Sequence, residues 1–160
     1  MKNIILGTSC YENAKSGNLV SISGDAGYSK GYFGASYKKL APSLKLYEYY
    51  KNNPDNLSDL EIIEYYINEY YIHRLENIDI YNLLNILKEK FKEDIILLCH
   101  EQPSNQNIIS KTYFCHRRLL ADYIELKTGL FIPEISIDEY ENIHEIKQPD
   151  YKPLLKKIIK

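Results

Sequence analysis

A chain of 160 residues with 44% hydrophobic and 26% charged residues has the makeup of a globular protein, sized for one domain over residues 1–160. Its apolar runs fall short of the roughly eighteen residues that a membrane span needs, so no membrane partner is expected. The formal net charge of −2 gives no electrostatic case for general nucleic-acid binding.

Asn3–Leu6 is a short apolar run closed by Gly7, and the opening "MKNIILGTSC" reads as a first strand rather than a signal peptide. Leu19–Ile22 is a second run, closed by "SGD", and Ile95–Leu98 a third, between Asp94 and Cys99. Short apolar runs bounded by glycine or polar turns suit strands of a buried parallel sheet. The stretch Ser23–Ser36, "SGDAGYSKGYFGAS", holds four of the seven glycines, too many for a helix, and it is too long for a tight turn. Helical signals follow. Pro42 and Ser43 open a helix to about Lys51, stopped by "NNPDN". Ser58 caps "DLEIIEYYINEYYIHRLEN", with Glu61 completing a capping box, and Leu60, Ile63, Ile67, Tyr70 and Tyr71 give its buried stripe. Asp79 caps a helix from Ile80 to about Phe91. Cys115–Lys127 forms another amphipathic helix, with Leu119, Leu120, Tyr123, Ile124 and Lys127 toward one face and Gly129 as its C-cap. From Pro133 onward the pattern suits one last short strand, with Asp138–Lys160 as a peripheral polar tail.

The order strand, strand, helices, strand, helix predicts an α/β fold: a three-layer sandwich with a small, mostly parallel sheet and helices on both faces. In open α/β sheets, ligands bind beyond the carboxyl ends of the strands. Three chemically rich segments follow strands here, "GTSCYEN", "SGDAGYSKG" and "CHEQPSN…FCHRR", and are expected to converge on one edge.

Cys99, His100, Cys115 and His116 are all capable zinc ligands. Adjacent Cys-His residues on a strand point to opposite faces, however, and no Cys-x-x-Cys or His-x-x-x-His spacing is present, so no metal site is expected. Cys99 can pair with Cys115 or Cys10 only where the Cα atoms approach within about 7 Å. Three cysteines without a secretory signal favour reduced thiols in a cytoplasm, with Cys99 a small hydrophobe ending "IILL". Cys115 differs, since a helix start and the neighbouring His116, Arg117 and Arg118 lower a thiol pKa. Anion binding is the better reading of these residues: free N–H groups near Cys115, the Arg117 fork, and a loop whose Gly24 and Gly27 let backbone approach a ligand. Neither a P-loop nor a dinucleotide fingerprint is present. Arg118 and Asp122, four apart, suit an ion pair. Asp25 and Glu101 are the candidate acid–base groups, with His116 donating or relaying a proton. Asp25 equally suits a role in its own glycine turn. Thr8 and Ser9 either bond a ligand or cap a turn.

At "GTS", "SISGD", "LLCHE" and "FCHRRLLADYIEL" the chain resembles domain-of-unknown-function family four-eight-eight. The matching residues are Gly7 and Ser9, then Cys99 and Glu101, then Cys115, His116 and Arg117, with Leu119, Leu120 and Ala121 on the helix. The longer "SISGDAGYSKGYFGASYKKLAPS" is similar to a phage and bacterial branch of that family, and the motifs together span most of residues 4–135. The resemblance implies a compact α/β domain with a site built from these motifs. It implies no particular reaction.

The expected function is binding and processing of a phosphate-bearing small molecule, a nucleotide or nucleotide-derived metabolite, with hydrolysis or glycosidic-bond cleavage as the first reaction to test. No cofactor is identified. One alternative is a non-enzymatic module for nucleic acid or a protein partner, using Tyr28, Tyr32 and Phe33 as stacking surfaces. Another is a thiol-redox protein acting through Cys115.

Overall fold

The computed structural model describes residues 3–104 and 108–159. Strands β1 (Ile5–Cys10), β2 (Asn18–Ser21), β3 (Ile95–Cys99), β4 (Glu134–Ile137) and β5 (Ile143–Ile146) form one sheet in the order β2-β3-β1-β4-β5. The first four run parallel and β5 lies antiparallel on β4. The chain is therefore an α/β sandwich around a small, mostly parallel sheet. Every residue of β3 is buried, which is why this strand reads as an unbroken apolar run rather than an alternation.

β1 does not stop at Gly7 but continues through Thr8 and Ser9 to Cys10. Gly7 permits this, because a Cβ there would lie 2.7 Å from the carbonyl oxygen of Pro133, the residue that leads into β4. Thr8 and Ser9 are thus interior strand residues, both fully buried, and the expectation that they lie just past the strand, to bond a ligand or cap a turn, is corrected.

Five helices follow from local chemistry: α1 (Leu44–Asn52), α2 (Asp59–Tyr70), α3 (Ile80–Phe91), α4 (His116–Thr128) and α5 (Lys152–Ile158). Ser43, Ser58 and Asp79 each accept a backbone N–H at the starts of α1, α2 and α3, and Ser58 with Glu61 makes the full reciprocal box. Gly129 ends α4 in the left-handed conformation. The buried face of α2 is Ile62, Ile63, Tyr66, Ile67 and Tyr70, while Leu60 is 48% exposed. The i, i+3, i+4 pattern through Ile63 runs on through Ile62 and Tyr66, so Leu60 falls outside the apolar arc.

Ile5, Val20, Ile22, Ile95 and Leu97 face one side of the sheet and share a core with side chains from all five helices. The alternate residues Leu6, Leu19, Ile96, Leu98, Ile135 and Ile137 face the other side, where they meet Tyr11, Ala14 and Tyr32. The second face is therefore covered, among the described residues, by the segment after β1 and by the glycine-rich loop, not by a helix layer. The C-terminal stretch is also more structured than a tail, since β5 pairs with β4 and α5 buries Leu155.

Candidate functional site

Beyond the carboxyl ends of β2 and β3 lies a cavity of about 960 Å³. Ser23, Gly24, Asp25 and Ser29 of the glycine-rich loop border it on one side, and Cys99, His100, Glu101, Cys115 and His116 on another. Tyr47, Tyr50, Tyr66 and Phe114 supply an aromatic wall, and Lys38 and Arg74 supply positive charge. Tyr50, Tyr66 and Phe114 pack edge to face or tilted with centroids 5.0–5.7 Å apart, so these three rings form a fixed cluster. No carboxylate among the described residues forms an ion pair with Lys38 or Arg74, whereas Lys30 is held by Glu12 at 2.8 Å.

Asp25 is the hub of its loop. It accepts the N–H of Gly27 at 2.9 Å, the N–H of Ser29 at 3.2 Å, the Ser29 hydroxyl at 2.6 Å, and His100 Nε2 at 2.9 Å. Partial burial alone raises such a carboxyl, but the bonds from Ser29, Gly27 and His100 outweigh it and hold Asp25 far below the usual carboxylate range. A carboxylate so stabilised is a weak base. Its chemical effect is to fix His100, whose Nε2 donates to it. Glu101, next in sequence, lines the same cavity.

Cys99 and Cys115 are joined as a disulfide, with Cα atoms 6.9 Å apart, and Cys10 is a buried free thiol. Cys99 is thus no inert hydrophobe, and the expectation of three reduced thiols is corrected for this pair. His116 Nδ1 lies 3.2 Å from Cys99 Sγ and 3.9 Å from Cys115 Sγ, and its Nε2 is 2.8 Å from the Ile22 carbonyl oxygen. That carbonyl can only accept, so Nε2 carries the hydrogen and Nδ1 presents its lone pair to the sulfurs. Burial pushes His116 down to about 4, so the ring is neutral near pH 7. A neutral ring in this tautomer accepts at Nδ1, so the proton-donating role expected of His116 does not suit it.

Arg117 does not face the cavity. Its side chain is fully buried and paired with Glu134 of β4, Nε at 2.9 and 3.2 Å from the two carboxylate oxygens and Nη2 at 2.8 Å. An anion-binding role needs an accessible, unneutralised fork, so Arg117 is corrected to a structural residue. Arg118 turns the same way: Nη1 donates to Thr8 Oγ1 at 2.7 Å, and Nη2 lies 3.8 Å from Asp122, the expected pair. Thr8 in turn donates to Glu134 at 2.6 Å, and Ser9 donates to the Ile135 carbonyl at 2.7 Å, so neither reaches the cavity. Gly24 borders the cavity, but Gly27 is required by Tyr11, whose hydroxyl would lie 2.8 Å from a Cβ there.

His100 and Arg74 were missed as site residues because each needs a long-range partner that local spacing does not show. Cys99 carried a readable signal: it shares strand parity with Ile95 and Leu97, which face the helical side. Cys115 and His116 both reach it because the chain turns from extended to helical between them, so the opposite-faces rule holds for Cys99 and His100 but not for this second pair. No helix among the described residues is long and apolar enough to cross a membrane. Comparison with family models, curated proteins and solved structures finds no match.

Proposed function

We propose that the cavity binds a phosphate-bearing small molecule with a flat ring, a nucleotide or nucleotide-derived metabolite, and hydrolyses a bond within it. The observation that carries this reading is the meeting, in one cavity, of the wall Tyr47, Tyr50, Tyr66 and Phe114 with the cations Lys38 and Arg74 and the Asp25–His100 pair. Aromatic faces take a base by stacking, and a guanidinium matches a phosphate. Arg74 is braced by Nε on the Ala41 carbonyl at 2.9 Å, which positions its remaining N–H groups. His100, oriented by Asp25, is the general base for water, and Glu101 is the second acid–base group. Four residues of the resemblance to family four-eight-eight, Cys99, Glu101, Cys115 and His116, line this cavity, which supports a common site.

Calorimetric titration with nucleoside mono-, di- and triphosphates and with sugar phosphates tests the reading. Arg74→Ala and Tyr47→Ala should each weaken nucleotide binding about tenfold, the equivalent of roughly 1.4 kcal/mol. His100→Ala should leave affinity within a few-fold and abolish turnover. A wild-type protein that binds no nucleotide at millimolar concentration sinks the proposal.

A second reading rests on Tyr28 and Phe33, which stack on each other at 5.5 Å with Phe33 79% exposed. Exposed rings of this kind suit stacking on the bases of a single strand. Tyr32 does not contribute, because its hydroxyl is committed to the Leu19 and Ala35 carbonyls. Oligonucleotide binding that falls steeply with salt favours this reading over the small-molecule one.

A further inference from the structure

We propose that Cys99, Cys115 and His116, with the two cysteines reduced, form a binding site for a soft divalent metal ion, zinc by preference, in the wall of the cavity. The donor atoms of all three residues lie within 4.8 Å of one another. For a tetrahedral ion with bonds of about 2.3 Å to sulfur and about 2.0 Å to nitrogen, the sulfur–nitrogen edge is about 3.5 Å. The two observed Nδ1–Sγ separations, 3.2 and 3.9 Å, bracket that edge. The sulfur–sulfur edge of such an ion is about 3.8 Å, and two cysteines with Cα atoms 6.9 Å apart can supply it by side-chain rotation once the disulfide is opened.

The histidine is what separates this site from a simple disulfide. A disulfide gains nothing from a buried imidazole whose lone pair is aimed at it. A metal requires one, and requires that the other ring nitrogen be anchored, as Nε2 is on the Ile22 carbonyl at 2.8 Å. Two thiolates and one imidazole are three protein ligands, the number found in zinc sites that keep one position for water or substrate. All three residues border the cavity, so that position faces it. His100 and Glu101 border the same space.

The chemistry balances in two steps. A dithiol reductant attacks the Cys99–Cys115 disulfide, is itself oxidised to a disulfide, and leaves two protein thiols. The divalent ion then displaces the two thiol protons to solvent and is held by two thiolates and neutral His116. A small-molecule disulfide, itself reduced to two thiols as it exchanges with Cys99 and Cys115, reverses the sequence: the protein disulfide re-forms and the ion is released.

The test uses the full chain, reduced with a dithiol, desalted without oxygen and titrated with cobalt(II). One ion per chain should bind, with thiolate-to-cobalt charge-transfer absorption and the intense visible bands of a tetrahedral centre, and zinc should displace it. Cys115→Ser and His116→Gln should each lose at least tenfold in cobalt affinity, Cys10→Ser should lose nothing, and the oxidised protein should bind none. Thermal melts identify any variant that fails to fold, and native mass spectrometry of the reduced wild type with zinc gives a readout that needs no variant. The proposal is overturned if reduced protein, with its three thiols titratable and its melt intact, shows no thiolate–cobalt band at millimolar cobalt. It is equally overturned if a folded Cys115→Ser protein keeps the band unchanged. Nucleotide titration fails or succeeds separately, so the two readings are distinguishable.

Discussion

Removing the carboxylate of Glu134 should be among the most destabilising single changes in the molecule. Arg117 and Glu134 both have side chains with 0% exposure and meet through three N–H···O contacts of 2.8–3.2 Å. At a separation near 4 Å and an effective dielectric of about 20 the Coulomb attraction is about 4 kcal/mol, and it offsets the desolvation of both ions. Glu134→Leu deletes that attraction and leaves the guanidinium buried, a change that costs about 3–5 kcal/mol. Thr8 also loses its acceptor, adding about 1 kcal/mol. Against a total stability of about 5–15 kcal/mol, this single variant sits near the edge of folding. The double variant Arg117→Met with Glu134→Leu removes both charges and should recover most of the loss, ending within about 2 kcal/mol of wild type. Urea denaturation at pH 7, followed by circular dichroism on all four members of the cycle, measures the coupling. A Glu134→Leu loss below about 1 kcal/mol, or a double variant no better than the sum of the singles, would refute the argument that the pair is an uncompensable buried charge when split.

Asp122 gives a pH signature. Burial pushes its carboxyl up from 3.8 to about 6, against the opposing pull of Arg118 and the Tyr151 N–H. The folded state thus holds the proton more tightly than the unfolded chain, so the associated stability, roughly 3 kcal/mol, is fully present below about pH 4 and is lost as pH rises through about 6. Asp122→Asn keeps an oxygen for the Tyr151 N–H and should flatten the fall in melting temperature between pH 4 and 7; an unchanged slope assigns the fall elsewhere. Gly7→Ala should destabilise by about 1–3 kcal/mol, because its Cβ lands 2.7 Å from a backbone oxygen that cannot move without disturbing β4; a thermal melt within experimental scatter of wild type contradicts this. Ser58→Ala, by removing the acceptor for the Glu61 N–H at 3.2 Å, should cost about 1 kcal/mol in urea denaturation.

Elements governed by local rules were legible in the chain. The starts at Ser43, Ser58 and Asp79 are hydrogen-bonding decisions made within three residues, and the structure shows each. β3 was readable because burial on both faces makes it uniformly apolar, and β1 and β2 were readable from the short apolar runs that end at Gly7 and at "SGD". What local rules do not contain is pairing at a distance. Glu134 sits 17 residues from Arg117 and 126 from Thr8, so nothing near "CHRR" announces that its first arginine is already neutralised. Likewise His100 reads as a candidate ligand until the loop carrying Asp25 folds back from 75 residues away. Ala35 and Tyr37 anchor that return by bonding the backbone of Ser21 at 2.9 and 2.7 Å.

The four residues Cys115–Arg118 divide between two tasks because they begin a helix. Cys115 is the extended cap, and each later residue turns by about 100° around the axis. Cys115 and His116 end toward the cavity, while Arg117 and Arg118 end against β4 and β1. Two cations in the first turn of a helix oppose its dipole, and burying them adds a desolvation cost. Glu134, Asp122, Thr8 and the Ile132 carbonyl offset both effects from the sheet side. The arginines therefore act as a bolt between α4 and the sheet edge, and the bolt fixes the rotation of the helix about its own axis. That rotation decides whether His116 Nδ1 faces the Cys99 sulfur. Splitting the pair at Glu134 should therefore weaken cobalt binding at Cys99, Cys115 and His116 even in the fraction that stays folded. The charge-free double variant, with α4 packed but no longer pinned by a bidentate contact, should bind the ion less tightly than wild type while melting at nearly the same temperature.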